Sequence, residues 1–371
     1  MSEVLSLLRS SVLPRTVSPI ERALLRLGAR FDDFMLRRWM RGDAMAPGVD
    51  PALCAHLERA HAFYRNPAFL SDPERFYATP PTPRAVREIA VKRLPGGEAV
   101  DVAFVSDFDP IYREGRADFL RFEENRTVHA RWWRHENTPR PAVLCLHGYA
   151  SGDPRVDGLA FGARRLYRSG LDVVLYTLPF HGRRRPPGAR KSGEAFFGPD
   201  MARTNEAFAQ TISDARALMQ HLERRGHGQI GAFGMSLGAY AAALLAAVEP
   251  RLAFAIAMIP VASLTDLVWR EPIHRFRRQE AEAHGVTLDR LRELWQVHAP
   301  LLRPPVVAKD RRFVIGALGD RICPPMHAEA LWNHWARPGV HWYPGGHLAQ
   351  FRRGRALREA RRFLSGLGLA A

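Results

Sequence analysis

The stretch Gly234-Met235-Ser236-Leu237-Gly238 decides how the rest of this sequence is interpreted. An apolar, strand-like run at 229–233 precedes it, and an alanine-rich, helix-like run at 239–248 follows it. A nucleophilic serine sits on a sharp strand-to-helix turn, where the residues two positions away must be small and the helix N-terminus favours negative charge. Both glycines fit this need. The alternative is a glycine-rich turn without function, but the flanking strand and helix favour Ser236 as a nucleophile.

An aspartate follows a second predicted strand, in the position that a triad acid needs. Residues 312–318 are short, apolar and β-branched, as in a buried strand, and Gly319-Asp320-Arg321 comes directly after them. In α/β sheets the loops beyond the carboxyl ends of the strands form the site. We therefore predict that Asp320 is the triad acid, the alternative being a carboxylate that only caps its turn.

The base is predicted at His347, which follows Gly345-Gly346 and a predicted strand at 339–343. The chain order Ser, Asp, His is the one used by triads built on strand-to-helix turns. The two glycines let the backbone bring the imidazole close to other loops. His341 is the competing histidine, and its place within the predicted strand argues against it.

An earlier loop meets the remaining requirement, which is a pair of N–H groups for the negative charge on a carbonyl oxygen. A predicted strand at 141–146 ends in His147-Gly148-Tyr149. One donor normally follows the nucleophile, and the other comes from a loop of this kind. The sequence therefore predicts an oxyanion hole made by the backbone N–H groups of Leu237 and Tyr149. His147 precedes the glycine that opens the loop and is interpreted as structural.

These motifs resemble the α/β-hydrolase superfamily over roughly residues 88–368. The segments at 178–186 (LPFHGRRRP) and 192–197 (SGEAFF) resemble the alpha/beta hydrolase domain-containing protein 18 family and its bacterial relatives, which is similar to dienelactone-hydrolase-like esterases. The resemblance implies an α/β fold with a mostly parallel central sheet and helices on both faces. It also implies the same triad of Ser236, Asp320 and His347. Ala239, where many hydrolases have a second glycine, is small enough to leave the turn intact.

The order of predicted elements indicates one hydrolase domain with two additions. Residues 1–85 are mostly helical in pattern and form a predicted N-terminal extension, and residues 86–371 form the hydrolase domain. Residues 261–309 are too many for a simple crossover helix. We predict that they form a helical cap over the pocket, the alternative being helices packed to one side. Further predicted elements are strands at 98–105, 127–134, 142–146 and 171–178 and a helix at 160–169.

The charge of the chain bears on its partners. The formal net charge is +16, nearly all of it from arginine. A basic surface favours anionic partners, although an arginine-rich composition also follows from a GC-rich genome. No nucleic-acid-binding motif accompanies the charge, so we predict no nucleic acid partner. Residues 18–40 mix apolar residues with arginines, as in an interfacial helix. Peripheral membrane contact is therefore an alternative to the favoured interpretation, a helix packed on the core.

An arginine-rich loop at 181–185 follows the predicted strand at 171–178. This strand should neighbour the one that leads to Tyr149, so the loop should lie at the same carboxyl-end face of the sheet as the triad. An arginine fork binds carboxylate or phosphate with two parallel hydrogen bonds. We hypothesise that this loop binds substrate, and that at least one of its arginines faces the pocket mouth and favours an anionic substrate. The alternative is that the arginines pair with acidic residues such as Glu194 or Asp200 to fix the loop. The candidate residues are His181, Arg183, Arg184 and Arg185.

The sequence thus predicts a serine hydrolase that cleaves a carboxylic ester or thioester through a Ser-His-Asp triad and an acyl-enzyme. The chemistry requires no metal and no organic cofactor, and the expected substrate is a small-molecule or lipid acyl ester. Two alternatives stay open: a lipid deacylase that docks on anionic membranes, and a non-catalytic binding protein on a hydrolase fold.

Cysteine content and apolar runs bear on the compartment. Three cysteines make an odd set, which argues against a disulfide framework. The apolar run at 4–8 is too short for a signal peptide, and no run reaches the length of a membrane span. A cytoplasmic location is the expectation.

Overall fold

The computed structural model describes residues 18–40, 49–136, 138–270 and 275–371. The apolar run at 4–8 and residues 271–274 of the predicted cap lie outside them. Within the described ranges, no helix is both long enough and apolar enough to cross a membrane.

One sheet organises the described chain. Its nine strands follow the order β1-β2-β3-β5-β4-β6-β7-β8-β9. Neighbours from β1 to β5 along this order pair antiparallel, and all later neighbours pair in parallel. The strands are β1 Arg87–Leu94, β2 Gly97–Val105, β3 Thr127–His135, β4 Ala142–Leu146, β5 Asp172–Thr177, β6 Ile230–Met235, β7 Ala255–Met258, β8 Arg312–Ala317 and β9 Gly339–Tyr343.

Thirteen α-helices of the described chain surround this sheet. They are α1 Pro19–Met40, α2 Pro51–Tyr64, α3 Ala68–Ser71, α4 Arg116–Leu120, α5 Pro154–Phe161, α6 Ala163–Arg168, α7 Met201–Arg224, α8 Leu237–Val248, α9 Leu264–Arg270, α10 Arg275–Ala283, α11 Leu288–Leu294, α12 Pro325–His334 and α13 Arg353–Gly366.

Helices cover both faces of the central strands, which explains why those strands are continuously apolar. Every residue of β4 to β8 is buried. On one face Leu144 belongs to the same apolar cluster as residues of α7 and α8. On the other face Val143 belongs to a cluster that includes residues of α5, α6 and α13. The structure therefore confirms the predicted α/β fold, with helices on both sides of a mostly parallel sheet.

The parallel strands bring their following loops to one edge of the sheet. Leu146 at the end of β4 is paired with Gly234 near the end of β6. Ala317 at the end of β8 is paired with Tyr343 at the end of β9. The loops that carry the predicted site residues therefore start from neighbouring positions.

Two helical regions lie outside the strand–helix alternation. Helix α2 contacts the segment between β7 and β8, because the His61 ring is hydrogen-bonded to Glu293 at 2.7 Å and Arg290 pairs with Glu58. Helix α1 lies against the loops that follow β8 and β9. The domain limits at 85/86 and the cap limits at 261 and 309 remain predictions.

Candidate active site

Ser236 stands on a strained turn between β6 and α8. Its backbone angles are φ 56° and ψ −115°, in a region that residues with a side chain rarely adopt. The Ser236 N–H donates to the Met258 carbonyl oxygen at 3.0 Å, which ties the turn to the neighbouring strand β7. The side chain is nearly buried, so its hydroxyl meets only the cavity and its immediate partners.

The two flanking glycines are required by space. A Cβ atom on Gly234 would overlap the carbonyl of Gly238, and a Cβ atom on Gly238 would overlap the Leu146 carbonyl at the end of β4. Neither neighbour can move, because both are backbone atoms within the sheet-to-helix junction. Ala239, the small departure noted in the sequence, is fully buried.

A chain of hydrogen bonds links the three predicted triad residues. The Ser236 hydroxyl lies 2.9 Å from His347 Nε2, and His347 Nδ1 lies 2.7 Å from Asp320 Oδ2. The other Asp320 oxygen, Oδ1, accepts the N–H groups of Ile322 at 2.9 Å and Cys323 at 2.7 Å. Asp320 is thus held by its own turn while it presents one oxygen to the imidazole.

Burial and charge act in opposite directions on His347. Burial lowers the pKa of its imidazole, and the negative Asp320 carboxylate raises it; the balance puts the pKa well above the usual histidine value. With Asp320 accepting at Nδ1, the neutral ring has its proton on Nδ1 and its lone pair on Nε2, facing the serine. The ring can accept the serine proton only in this neutral form.

His341 does not take part in this chain. It lies within β9, opposite Ile315 of β8. Its Nε2 atom is buried and has no hydrogen-bond partner among the described residues. The structure brings His347, rather than His341, to Ser236.

The loop after β4 lies next to the serine. A Cβ atom on Gly148 would be 3.4 Å from the Ser236 Cβ. Both Tyr149 and Leu237 line the cavity in front of Ser236. Leu237 is the first residue of α8, where backbone N–H groups have no acceptor within the helix. The two residues predicted to form the oxyanion hole are therefore close to the nucleophile from two directions.

His147 anchors this loop. Its Nε2 accepts the N–H of Leu178 at 3.1 Å, and its Nδ1–H donates to the Gly148 carbonyl at 2.8 Å. Burial lowers the pKa of His147, so the ring stays neutral. Both ring nitrogens are used to join the loops after β4 and β5, which agrees with a structural role.

A cavity of about 610 Å³ opens in front of Ser236. Its wall is largely apolar, and much of it comes from the segment between β7 and β8. Three cationic side chains, Arg185, Arg190 and Lys191, line another part of the wall. The apolar wall residues from this segment include Val261, Leu264, Leu267, Val268, Leu291 and Trp295. The cavity suits a ligand with an apolar portion.

The arginine-rich loop divides into residues with different surroundings. Arg183 is exposed and pairs with Asp101 at 3.0 Å. Arg184 is fully buried and pairs with Asp214 at 2.8 Å. Arg185 alone among the three arginines lines the cavity. The pairing partners are therefore not the two acidic residues that the sequence suggested, and the arginine hypothesis is kept for Arg185 only.

His181 is also removed from the cavity wall. Its side chain is fully buried, and Nδ1–H donates to the Pro179 carbonyl at 2.8 Å. Burial lowers the pKa of His181 well below the usual value. The ring packs against His147 and Phe196. These contacts make it part of the loop scaffold, which corrects the expectation that it contacts substrate.

Two residues near the site carried no clear signal in the sequence. The Cys323 thiol lies 4.0 Å from the Ser236 hydroxyl and lines the cavity, and burial raises its pKa. Asp32, on helix α1, accepts backbone N–H groups from the loops of His347 and Asp320. The position of Cys323 just after Asp320 could have drawn attention to it. Nothing local marks Asp32. Within the described ranges, no group of three or more His, Cys, Asp or Glu side chains could hold a metal ion.

The sheet order, the strained serine turn and the loops that meet at it define the class of this protein as an α/β hydrolase. The chain belongs to the family described as alpha/beta hydrolase domain containing 18, whose model matches residues 117–269. The uncharacterized protein Rv2627c of Mycobacterium tuberculosis is 32% identical over 359 residues, which is 93% of this chain and 83% of the relative.

Solved structures share the fold at low sequence identity. Acetyl xylan esterase 1 from Thermoanaerobacterium sp. is 17% identical with a TM-score of 0.54, over 85% of this chain and 94% of that chain. The acetyl xylan esterase from Paenibacillus sp. R4 is 16% identical with a TM-score of 0.53, over 87% and 98%. At such identity the likeness concerns the fold. Family and fold together support a hydrolase.

Proposed function

We propose that this protein is a serine hydrolase that cleaves a carboxylic ester or thioester through an acyl-enzyme. The observation that carries the proposal is the hydrogen-bonded chain from Ser236 through His347 to Asp320, with distances of 2.9 and 2.7 Å. A serine in a strained strand-to-helix turn, a histidine at its hydroxyl and a carboxylate behind the histidine are the parts of a triad.

Each group has one role in the reaction. His347 Nε2 takes the proton of the Ser236 hydroxyl as the oxygen attacks the acyl carbon. Asp320 holds the imidazole in the required tautomer and stabilises its charged form. The backbone N–H groups of Leu237 and Tyr149 donate to the oxyanion.

The intermediate then collapses. The bond to the alcohol or thiol breaks, and the leaving group takes the proton from His347. Water repeats the sequence and releases the acid. This chemistry needs no metal or organic cofactor.

The test compares the wild-type protein with a Ser236→Ala variant on a panel of esters of graded acyl length, together with labelling by a fluorophosphonate probe. Loss of Ser236 should reduce turnover by about 10³-fold or more and abolish labelling. Ser365→Ala, at an exposed serine on α13, is the matched control. Labelling of the Ser236→Ala variant at the wild-type rate would exclude Ser236 as nucleophile. A wild-type protein that neither labels nor turns over would favour the non-catalytic binding alternative.

A second candidate function, deacylation of a lipid at an anionic membrane surface, is favoured by the outer face of α1. Leu27, Phe31 and Phe34 are exposed there, together with the exposed Arg26 and Arg30. Apolar side chains among cationic ones are typical of helices that bind anionic lipid surfaces.

Co-sedimentation with phosphatidylglycerol vesicles and with phosphatidylcholine vesicles tests this candidate. A Phe31→Ser/Phe34→Ser variant should lose binding to the anionic vesicles, whereas Val105→Ser, at an exposed valine on β2, should retain it. Equal recovery of the wild-type protein with both vesicle types, or none with either, would exclude this docking mode and leave the esterase proposal untouched.

A further inference from the structure

Helix α1 lies directly on the two loops that carry His347 and Asp320. A Cβ atom on Gly346 would be 2.6 Å from the Gly28 carbonyl oxygen, and a Cβ atom on Gly319 would be 2.7 Å from the Leu25 carbonyl oxygen. Glycines at these points let the helix backbone approach the loop backbones without a side chain between them. The contact is therefore closer than ordinary packing of side chains allows.

Asp32 of this helix is fully buried and is hydrogen-bonded to both loops. Its Oδ2 accepts the N–H of His347 at 2.6 Å and the N–H of Arg321 at 3.2 Å. Its Oδ1 accepts the N–H of Leu348 at 3.0 Å. One carboxylate thus holds the backbone at His347, at the residue after it, and at the residue after Asp320.

A buried aspartate at position 32 does not stabilise helix α1 itself. Aspartate is a poor residue for a helix interior, and a buried carboxylate is costly unless donors satisfy it. The pKa of Asp32 is raised, because burial and the negative charge of Asp320 outweigh the three backbone N–H groups, which lower it. All three hydrogen bonds come from the two loops that carry the predicted base, His347, and the predicted acid, Asp320. An apolar residue would fill the same place in the helix without the desolvation cost.

We propose that Asp32 is a positioning residue, which fixes the backbone on both sides of the His347–Asp320 pair and thereby holds the imidazole at hydrogen-bond distance from Ser236. The proposal rests on the proposed serine-hydrolase function. Helix α1, from the predicted N-terminal extension, would then be required for full catalytic activity. Asp32 does not line the cavity, and its hydrogen bonds to the two loops all run to backbone N–H groups.

The test uses an Asp32→Asn variant of the full chain. The amide is close to the carboxylate in size, but its NH₂ group cannot accept, so at least one of the three N–H groups loses its partner. Displacement of a catalytic group by about 1 Å costs about 10²-fold in rate. We expect kcat to fall by about this factor while KM changes little, and the rate of fluorophosphonate labelling of Ser236 to fall in parallel.

The matched control is Asp33→Asn, the same change at the next position of α1. Asp33 lies near the side chain of Arg321 at 4.0 Å and holds none of the loop backbone described above. It should keep the wild-type kcat. Gly28→Ala is a second variant, which tests the proposal if Asp32→Asn fails to fold. A Cβ there would overlap the Gly346 backbone, so it should displace the His347 loop and lower kcat.

A merely structural role would give a different result. Asp32→Asn would then lower the melting temperature and leave kcat and the labelling rate of the folded protein at wild-type values, which would overturn the proposal. The low-field proton resonance of the His347 Nδ1–H is a further readout, because it reports the His347–Asp320 bond without turnover. It should weaken in Asp32→Asn and persist in Asp33→Asn.

The two proposals fail in different ways. If the fluorophosphonate probe labels the wild-type protein and Ser236→Ala equally, the proposed serine-hydrolase function is refuted. If wild-type labelling requires Ser236 and Asp32→Asn labels at the wild-type rate, only the role of Asp32 falls.

Discussion

Replacement of Asp320 by asparagine should disable His347 by reversing its tautomer. Asp320 Oδ1 accepts two backbone N–H groups, from Ile322 and Cys323. In Asp320→Asn the amide oxygen must take that position, because an NH₂ group there would face two donors. The NH₂ group then points at His347 Nδ1, which must accept from it, and the imidazole proton moves to Nε2, where it blocks proton transfer from Ser236.

The expected loss is large and has two parts. The same change in a serine protease lowers kcat by about 10⁴-fold through the wrong tautomer, and this corresponds to about 5 kcal/mol of transition-state stabilisation. The pH profile should change as well. The carboxylate raises the pKa of His347 while burial lowers it, so removing the charge lowers that pKa. Because activity requires the neutral ring, the acidic limb of the profile should move to lower pH.

Hydrolysis of a soluble p-nitrophenyl ester across the titration range of His347 measures both effects. The matched control is Asp289→Asn, at an exposed aspartate on α11 that pairs with Arg292. An Asp320→Asn variant with kcat within about tenfold of wild type, a margin of about 1.4 kcal/mol, would refute the tautomer argument. If the acidic limb of the variant lies at the same pH as that of the wild type, the Asp320 carboxylate is not what raises the pKa of His347.

Three further outcomes are expected. Combining His347→Gln with Ser236→Ala should reduce kcat little more than either change alone, because the residues act as a unit, whereas His341→Gln should stay close to wild type in the same ester assay. Arg185→Lys should raise KM for acidic esters, leave KM for neutral esters unaffected and keep the melting temperature, because this side chain lines the cavity and lysine lacks the two-point geometry of a guanidinium; an equal effect on both ester classes would exclude two-point binding of an acidic substrate group by Arg185. Arg184→Ala should lower the free energy of unfolding by about 3–5 kcal/mol in urea denaturation, because it leaves a buried carboxylate partner unpaired; a change below about 1 kcal/mol would show that this ion pair contributes little.

Strongly buried strands were the part of the fold that the sequence predicted best. The expected strand at 142–146 coincides with β4, since its apolar run is bounded by a proline and a glycine loop. β1 was missed because it is an edge strand with mostly exposed residues, so it carries no apolar pattern. The single helix expected at 160–169 is two helices, α5 and α6, because Gly162 adopts a left-handed conformation with φ 66° and ends the first of them.

In the candidate site, too, the sequence predicted features of short segments and did not predict contacts between residues far apart in the chain. Ser236, Asp320 and His347 were found because each follows a strand and sits in a glycine-containing turn, which are features of short segments. The partners of the arginine loop were not found, since Arg183 pairs with Asp101, 82 positions away in the chain. Asp32 is even further along the chain from its partner His347, and the residues around it are those of any amphipathic helix.

The contact between Asp32 and His347 joins residues separated by 315 positions. During synthesis, helix α1 emerges long before the loop that it holds, so Asp32 cannot meet the N–H of His347 until the chain beyond β9 has been made. Contacts of such sequence separation form slowly and late. Recovery of activity after dilution from denaturant should therefore lag behind recovery of helical content. Under the proposed function, the return of full turnover would report the last step of folding, in which this early helix and this late loop meet.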